Sequence, residues 1–472
     1  MKNILLILIP LLFIFCSCEK DFLDVNQNPN TPDKMKSYYL LPSAEISIAY
    51  YLGFAINKDG MLLTQQWSTT YTQYEAVDRY RLDHSSYGNE WSNFYSVALA
   101  DLKVTQDLAK EESNPNIESI AIILECYLYH ALTDMFGDIP YSQAINIEKY
   151  PSPKYDKVSD IYPALLKRID AAIALMSGDK ESKLATQDVI YKGDMGLWKK
   201  FANSLKIRML MRMSNTDAFS TTTLKSLFDG NDIIMANSDN AIFTYGTKSG
   251  NFNPLFERLT SSGRDKDLGS GKTLIDIMNV RNDPRLPYYF STAPGTTKYI
   301  GNPNGESKVV VENMSTICNW WFDKGNTKGM KRPTLLLSAA EMAFFKAEAA
   351  AKGYITGDVA DLYAKAIKLS MGQWIDDKEK TITDEAIASY IVANPYNDVN
   401  DIYLQRYIAL YDQGLQVYSE WRRTDVPKLT PVTTSENGDK IPIKFPYPAS
   451  EYDTNGDNVP KTDINTAIWW DQ

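Results

Sequence analysis

Residues 335–374 read LLLSAAEMAFFKAEAAAKGYITGDVADLYAKAIKLSMGQW and contain the clearest helical pair of the chain. Apolar residues recur at three-to-four spacing on both sides of Gly353, which predicts two helices joined by a short glycine-containing turn. Small residues that allow two helices to approach closely recur along both: Ala340, Ala347, Ala350 and Ala366. The stretch therefore predicts a closely packed helical pair with aromatic side chains between the helices.

This pair resembles a tetratricopeptide (TPR) unit, and LYAKAIKLS at 362–370 is similar to the second helix of such a repeat. TPR units bury their faces against neighbouring units, so several stacked pairs are expected. We interpret residues 89–136 as a degenerate copy. The predicted fold class is mainly α, with TPR-like helical pairs forming a scaffold that carries loop-rich and short β-hairpin insertions.

The same periodicity predicts further helices nearer the N-terminus. Apolar residues from Trp91 to Leu108 form one stripe, and Pro115–Phe136 repeats the pattern. Gly137 stands where a helix C′ glycine is expected, and Pro140 prevents continuation of the helix. Two more helices are predicted at Ser159–Met176 and Leu197–Met213.

Between about Asp229 and Lys331 the composition changes. Gly, Asn, Ser and Pro become frequent, and short runs typical of strands occur at Asn240–Tyr245 and Lys308–Val311. We interpret this part as loops and small hairpins laid over the helical scaffold. Irregular surface segments are where binding residues often lie.

Composition limits the classes of function. The chain has 472 residues, 44% of them hydrophobic, and a net charge of -10, so it can bury a large core but offers no basic face to nucleic acid. Only two histidines are present, which argues against a His-rich metal site. The four cysteines form no metal or disulfide framework, although a disulfide between Cys126 and Cys318 stays an alternative to separate thiols.

The N-terminus predicts a secretory signal followed by an anchor. Ile4–Phe15 is an apolar run that suits a signal peptide but falls short of the roughly 20 residues that a membrane-spanning helix needs. Ser17 then precedes Cys18, an order that resembles the lipobox of bacterial lipoproteins, in which the chain is cut before the cysteine and its sulfur receives a diacylglycerol. We favour lipidation of Cys18, with acyl chains such as palmitate as the anchor, over an ordinary cleaved signal peptide.

The residues after the anchor predict a tether at the cell surface. Glu19-Lys20-Asp21 resembles the acidic signal that directs some lipoproteins to the outer cell surface. VNQNPNTP at 25–32 is polar, rich in Pro and Asn, and without periodicity, which is typical of a flexible connection.

Two motifs that suggest ligands have simpler interpretations. GSGKT at 269–273 lacks the first glycine and the preceding strand of a phosphate loop, so we interpret it as a turn that leads into a helix over Thr273–Met278. DTNGDN at 453–458 has oxygen ligands at alternate positions but lacks the glycine and the final Glu of a calcium loop, so a polar turn is favoured. We expect no bound metal and no cofactor.

Aromatic residues are the best candidates for binding, because aromatic faces stack on sugar rings or on apolar parts of peptides. Trp320 and Trp321 are adjacent in the loop-rich region, where binding and burial in the core both stay open. Trp67, Tyr71 and Tyr74 form a second cluster whose spacing favours a helix face in the core but leaves ligand contact as the alternative.

Several segments together resemble the SusD/RagB-like nutrient-binding lipoproteins of the Gram-negative outer membrane. These segments occur in the order found in that family: LTDMFGDIPYSQA (132–144), WKKFANSLKIRMLMRMS (198–214), DPRL (283–286), RPTLLLSAAEMAFFKAEAA (332–350), GLQVYSEWRRTDVP (414–427) and FPYPASEYDTN (445–455). The resemblance runs from Cys18 nearly to the C-terminus and is closer to the RagB-type branch than to the starch-binding archetype.

The resemblance implies a signal peptide at 1–17, a lipidated cysteine and tether at 18–36, and a single SusD-like helical domain at 37–472 with a loop-rich insertion at about 229–331. It implies a lipid-anchored protein of the cell outer membrane, facing the exterior, that caps a SusC/RagA-like TonB-dependent transporter and delivers an oligosaccharide or a peptide. It brings no catalytic residue, so we expect no enzyme, and it implies that Gly137, Pro140 and Trp421–Arg423 are structural. A surface-anchored hydrolase of the glycosidase kind and a TPR-type scaffold for surface proteins stay as alternatives.

Overall fold

Pro115–Phe136 is the longest α-helix among the residues that the structure describes, and its ends are set by local sequence. At its N-terminus the Asn114 side chain accepts a hydrogen bond from the Ile117 amide at 3.1 Å, and Pro115 occupies the first turn. At its C-terminus Gly137 has φ 80° and ψ -128°, a conformation that residues with a Cβ rarely adopt. The predicted helix and its stop are therefore confirmed.

The computed structural model describes residues 35–70, 72–261, 263–264, 267–306, 313–317, 327–373 and 382–471. The predicted signal peptide, the lipidated cysteine and the tether to residue 34 lie outside these residues. From Ser37 onward the described chain forms one compact unit.

The first half of this unit is mostly helical. Its elements are α1 Leu41–Gly53, α2 Ala55–Leu63, β1 Trp67–Thr69, α3 Glu75–Asp78, α4 Gly88–Asn93, a π-helical segment Phe94–Leu99, α5 Ala100–Glu111, α6 Pro115–Phe136, β2 Ile139–Pro140, β3 Tyr155–Asp156, α7 Val158–Leu175, α8 Met195–Arg212 and α9 Thr221–Gly230. The helices predicted at Ser159–Met176 and Leu197–Met213 are confirmed as α7 and α8, with ends shifted by one or two residues.

The second half adds short strands and the TPR-like pair. Its elements are β4 Ala241–Phe243, α10 Pro254–Ser261, β5 Leu268–Ser270, α11 Lys272–Val280, α12 Leu286–Tyr289, α13 Thr327–Met330, β6 Thr334–Leu337, α14 Ala339–Ala351, α15 Val359–Gly372, α16 Asp384–Ala393, α17 Val399–Ala409, α18 Gly414–Thr424 and α19 Ala449–Asn455. Single 3-10 turns occur at Ser37–Tyr39, Thr72–Tyr74, Ser182–Leu184 and Asn237–Asp239.

Helices α14 and α15 form the closely packed pair that the sequence predicts. Ser338 caps α14 by accepting from the Glu341 amide at 3.1 Å, and Asp358 caps α15 by accepting from the Asp361 amide at 3.1 Å. Ala347 and Ala366 are fully buried between them. The mainly helical fold class is therefore confirmed.

One part of that prediction is wrong. Residues Thr334–Leu337 form strand β6 instead of the start of a helix, and they pair antiparallel with β4. The partner strand lies more than 90 residues earlier, so the run at Asn240–Tyr245 is part of a long-range pair and not of a local hairpin. The run at Lys308–Val311 lies outside the described residues.

Two buried carboxylates join the helices of the C-terminal half. Glu348 of α14 accepts from Arg406 at 2.6 Å and from Arg423 at 2.7 Å, while Glu420 of α18 binds the same two arginines at 2.7 and 2.8 Å. Arg212 of α8 also binds Glu420, at 3.0 Å. Burial raises the pKa of Glu420, but the three arginines outweigh burial and hold this pKa far below its usual range. The network ties α8, α14, α17 and α18 together.

Only one stretch of the described residues, Ser37–Leu63, is long and apolar enough by length and composition to cross a membrane. Its residues Leu41, Ile48, Ile56 and Leu63 are fully buried in the main hydrophobic core. The stretch, which comprises the 3-10 turn Ser37–Tyr39, α1 and α2, therefore contributes side chains to the core of this unit.

Candidate ligand-binding surface

Strands β1 and β5 form an antiparallel pair that contains Trp67, one of the predicted aromatic residues. Trp67 faces Ser270 and Thr69 faces Leu268 in antiparallel register. The Asn302 side-chain amide donates to the Thr69 carbonyl at 2.8 Å, and Gly269 forms a further bridge to Thr316. The described residues before the segments 307–312 and 318–326 therefore lie against this pair.

Asp78 holds the loop residues Asn304 and Gly305 close to strand β1. Its carboxylate accepts from the Thr69 hydroxyl at 3.0 Å, from the Asn304 side-chain amide at 2.6 Å and from the Gly305 amide at 2.7 Å. Burial raises the pKa of Asp78, and these hydrogen bonds offset part of that rise. Asp78 thus holds residues 304–305 on β1.

Trp67 and Tyr74 are core residues in this structure. Trp67 is fully buried, with its ring edge-on to Tyr411 at 6.1 Å between centroids and the Arg332 guanidinium 5.8 Å from its centroid. Tyr74 is only 8% exposed and lies under the Lys58 ammonium. Burial of this kind favours the core alternative for both, and their role as ligand contacts stays an untested prediction.

The helix expected for this cluster is wrong. Trp67 lies in strand β1, and Tyr74 ends the 3-10 turn Thr72–Tyr74. The spacing suggested one helix face, whereas the long-range pairing with β5 makes the first of these residues a strand. Tyr71, Trp320 and Trp321 lie outside the described residues, so their predicted contact with ligand also stays a prediction.

The motifs with simpler interpretations fit the structure in part. Gly269 and Ser270 belong to strand β5, and α11 begins at Lys272, so the predicted helix is confirmed, whereas the residues before Gly271 form a strand and not the predicted turn. A Cβ at Gly271 would overlap the Gln65 carbonyl, which explains this glycine by close packing. Asp453 lies in α19 and not in a turn, and among the described residues no group of three or more His, Cys, Asp or Glu side chains is placed to hold a metal ion.

The cysteine left inside the described chain is a buried thiol. Cys126 is fully enclosed in α6, and burial raises its pKa to about 12, so it is not poised to react. Its predicted alternative partner, Cys318, lies outside the described residues.

The sequence analysis did not identify Asp78 and Asn304, which join the 301–305 loop to strand β1. Asp78 contacts Asn304 across more than 200 residues of chain, and no local pattern links the two. The turn-forming sequence GNPNG at 301–305 indicates a loop, but only the pairing of β1 with β5 shows what that loop packs against.

A family model described as starch-binding and associating with the outer membrane matches residues 29–448, which is most of the chain. The chain belongs to the SusD-like family. This family is one of binding proteins associated with the outer membrane. No curated protein matches the chain.

Solved SusD-like structures have the same fold. A chitin-binding SusD homolog from Flavobacterium johnsoniae matches with a TM-score of 0.73 at 21% identity, covering 92% of this chain and 97% of the homolog. A SusD homolog from Bacteroides fragilis gives 0.77 at 24% identity, with 93% and 100% covered. A SusD/RagB family protein from Bacteroides thetaiotaomicron gives 0.76 at 22% identity, with 93% and 99% covered.

The SusD-like landmark GLQVYSEWRRTDVP has the structural role expected of it. Arg422 donates to the Asp134 carbonyl at 2.7 Å and to the Ile443 carbonyl at 2.8 Å, which joins α18 to the end of α6 and to the C-terminal segment. Arg423 belongs to the buried network with Glu348. Both arginines therefore stabilise the fold.

Proposed function

We propose that this SusD-like protein is a cell-surface lipoprotein, anchored through Cys18, that captures an oligosaccharide or a peptide and delivers it to a TonB-dependent transporter of the SusC/RagA kind. The observation that carries the proposal is the family match over residues 29–448 to a starch-binding, outer-membrane-associated family. A chitin-binding neighbour with the same fold supports a sugar as the ligand.

We further propose that Tyr71, Trp320 and Trp321 form the ligand face. The proposal is supported by the described residues that precede them. Tyr71 follows Thr70 directly, and Trp320 follows Ile317 by three residues, a span of at most about 11 Å of chain. Both starting points lie beside the β1–β5 pair, because Thr70 follows β1 and Thr316 bridges Gly269.

Calorimetric titration of the purified mature protein with a panel of oligosaccharides and peptides tests this face. We expect Trp320→Ala combined with Trp321→Ala to weaken binding of the captured ligand by tenfold or more, which corresponds to about 1.4 kcal/mol. Tyr39→Ala is the matched control, because Tyr39 is an exposed aromatic residue in the turn that precedes α1.

Unaltered binding in the double variant would remove Trp320 and Trp321 from the site while leaving the capture role intact. Turnover of a panel ligand that a single Asp or Glu substitution abolishes would instead favour a hydrolase.

A further inference from the structure

A groove of about 500 Å³ lies on the described surface, and its lining residues do not include Trp67, Tyr74 or any residue of the β1–β5 pair. Three segments form its walls: the end of α4 with the π-helical segment, the loop from Pro140 to Pro153, and helix α19. Its volume falls within the roughly 300–1,000 Å³ typical of small-molecule sites.

The π-helical segment shapes one wall. Phe94–Leu99 interrupts the α-helical hydrogen bonding between α4 and α5, and it places Tyr95 and exposed Ser96 in the groove. The Tyr95 hydroxyl donates to the Pro140 carbonyl at 2.8 Å, which fixes the ring against the opposite loop. Single π-helical turns within helices occur frequently at functional sites.

Glu451 supplies a carboxylate that is held in place. One of its oxygens accepts from the Trp91 indole at 3.0 Å and the other accepts from the Tyr155 hydroxyl at 2.6 Å. Each carboxylate oxygen has two lone pairs, so acceptor capacity remains for the hydroxyl groups of a ligand. Half-buried Tyr95 and Tyr150 line the groove and give it an aromatic wall, and the Trp91 ring, which is buried, supports the Tyr95 ring from 4.8 Å away.

The lining is almost uncharged. Among the described residues that form the groove, Glu451 is the one with a charge at neutral pH, and the other polar groups are amides and hydroxyls, as in Ser92, Gln143 and Asn146. Lys149 is not among the lining residues, and its ammonium lies 5.0 Å from the centroid of the Tyr150 ring. An acidic ligand would therefore meet a carboxylate with no lining cation to balance its charge.

We infer that this groove is a second binding site, which takes an uncharged sugar unit through its aromatic wall, its amides and hydroxyls, and the fixed Glu451 carboxylate. Aromatic rings beside hydrogen-bonding groups suit a sugar, which presents both C–H faces and hydroxyls. The inference stands on this groove and does not need the transporter or the face of Trp320 and Trp321.

Titration of the mature protein with hexasaccharides of three charges tests the inference: N-acetylated chito-hexaose and malto-hexaose as neutral probes, hexagalacturonate as the acidic probe, and chitosan hexaose as the amino probe. Ser96→Trp fills the groove from an exposed position, and Ser226→Trp introduces the same side chain at an exposed position on α9. We expect Ser96→Trp to weaken binding of a neutral probe at least tenfold, and Ser226→Trp to leave it unchanged. Glu451→Gln keeps the shape of the side chain, and we expect it to weaken the same probe by about threefold or more.

The inference would be overturned if Ser96→Trp and Glu451→Gln left the binding of every neutral probe unchanged. It would also be overturned if the protein bound neither neutral probe. A third contrary result would be that the acidic or the amino probe binds more strongly than the neutral probes and that Ser96→Trp abolishes this binding, because the groove would then prefer a charged ligand. None of these results decides the proposed function, which co-purification with a transporter tests separately.

Discussion

At the scale of single residues, Glu45 shows how burial sets a pH dependence. This α1 residue is fully buried, and its carboxyl accepts from the Val189 amide at 2.8 Å. Burial raises its pKa well above the ordinary 4.5, and the nearby Asp188 carboxylate adds to that rise. Asp188 is itself fixed by the Trp198 indole at 2.7 Å and by three backbone amides.

The raised pKa of Glu45 makes the stability of the protein depend on pH. Because the folded pKa lies above the unfolded one, the contribution of Glu45 to stability is complete below about pH 4.5 and is lost as the pH rises toward the folded pKa. Each pH unit between the two values costs about 1.4 kcal/mol. We expect the free energy of unfolding to fall less between pH 5 and pH 8 in Glu45→Gln than in the wild type, measured by urea denaturation.

Glu111→Gln is the control for this change, because Glu111 is exposed at the end of α5. Its pH curve should follow that of the wild type. If the curves of Glu45→Gln and the wild type run parallel, Glu45 does not titrate as burial requires.

At the scale of elements, glycine decides how closely α2 and α18 approach. A Cβ at Gly60 would overlap the Gly414 carbonyl, and a Cβ at Gly414 would overlap the Asn57 carbonyl. We expect Gly60→Ala to lower the free energy of unfolding by about 3 kcal/mol, because backbone atoms must move apart. Gly230→Ala, at the end of α9 with nothing within 4 Å of its Cβ, should cause no loss. Equal stabilities of the two variants in urea would show that the helices do not pack this closely.

The buried ion pairs of Glu348 and Glu420 with Arg406 and Arg423 contribute to the stability of the helical scaffold. Glu348→Gln keeps the side-chain volume but leaves Arg406 and Arg423 with less buried negative charge. Removing one partner of such a network costs about 3–5 kcal/mol. We expect a loss of that size by urea denaturation, and a loss of at most about 0.5 kcal/mol for Asp361→Asn, which breaks the exposed pair with Lys365. A loss for Glu348→Gln as small as that of the control would contradict the bracing role.

Helices with local signals could be predicted from the sequence, and long-range strand pairs could not. The α6 boundaries follow from Asn114, Pro115 and Gly137, which all act within one turn of the helix. Strand β6 reads as helical because its apolar residues continue into α14, and its true partner β4 is far away in the chain. The same limit applies to Trp67, whose burial depends on β5 and on Tyr411.

The candidate surfaces were predictable only in part, for a related reason. Aromatic residue type indicates where ligand contact is chemically suitable, but exposure depends on packing between distant segments. Asp78 and Glu451 were missed because their partners lie 226 and 360 residues away. The resemblance of residues 4–18 to a lipobox, by contrast, rests on local sequence alone, and it stays a prediction.

At the scale of the whole molecule, the proposed lipid anchor at Cys18 would hold the protein at the membrane. We expect Cys18→Ala to abolish acylation and to release the protein from the membrane fraction, because two or three acyl chains hold a protein firmly and none remains in the variant. Metabolic labelling with a fatty-acid analogue and membrane fractionation measure both effects. Cys16→Ala is the matched control and should be labelled as the wild type is; normal labelling of Cys18→Ala would refute the anchor.

We propose that this SusD-like protein delivers its ligand to a TonB-dependent transporter. The tagged protein can be extracted from its native outer membrane in mild detergent, and mass spectrometry then identifies the chains that co-purify with it. We expect a TonB-dependent β-barrel in about stoichiometric amount. Absence of such a barrel, with the protein lipidated and the membrane intact, would contradict the delivery role.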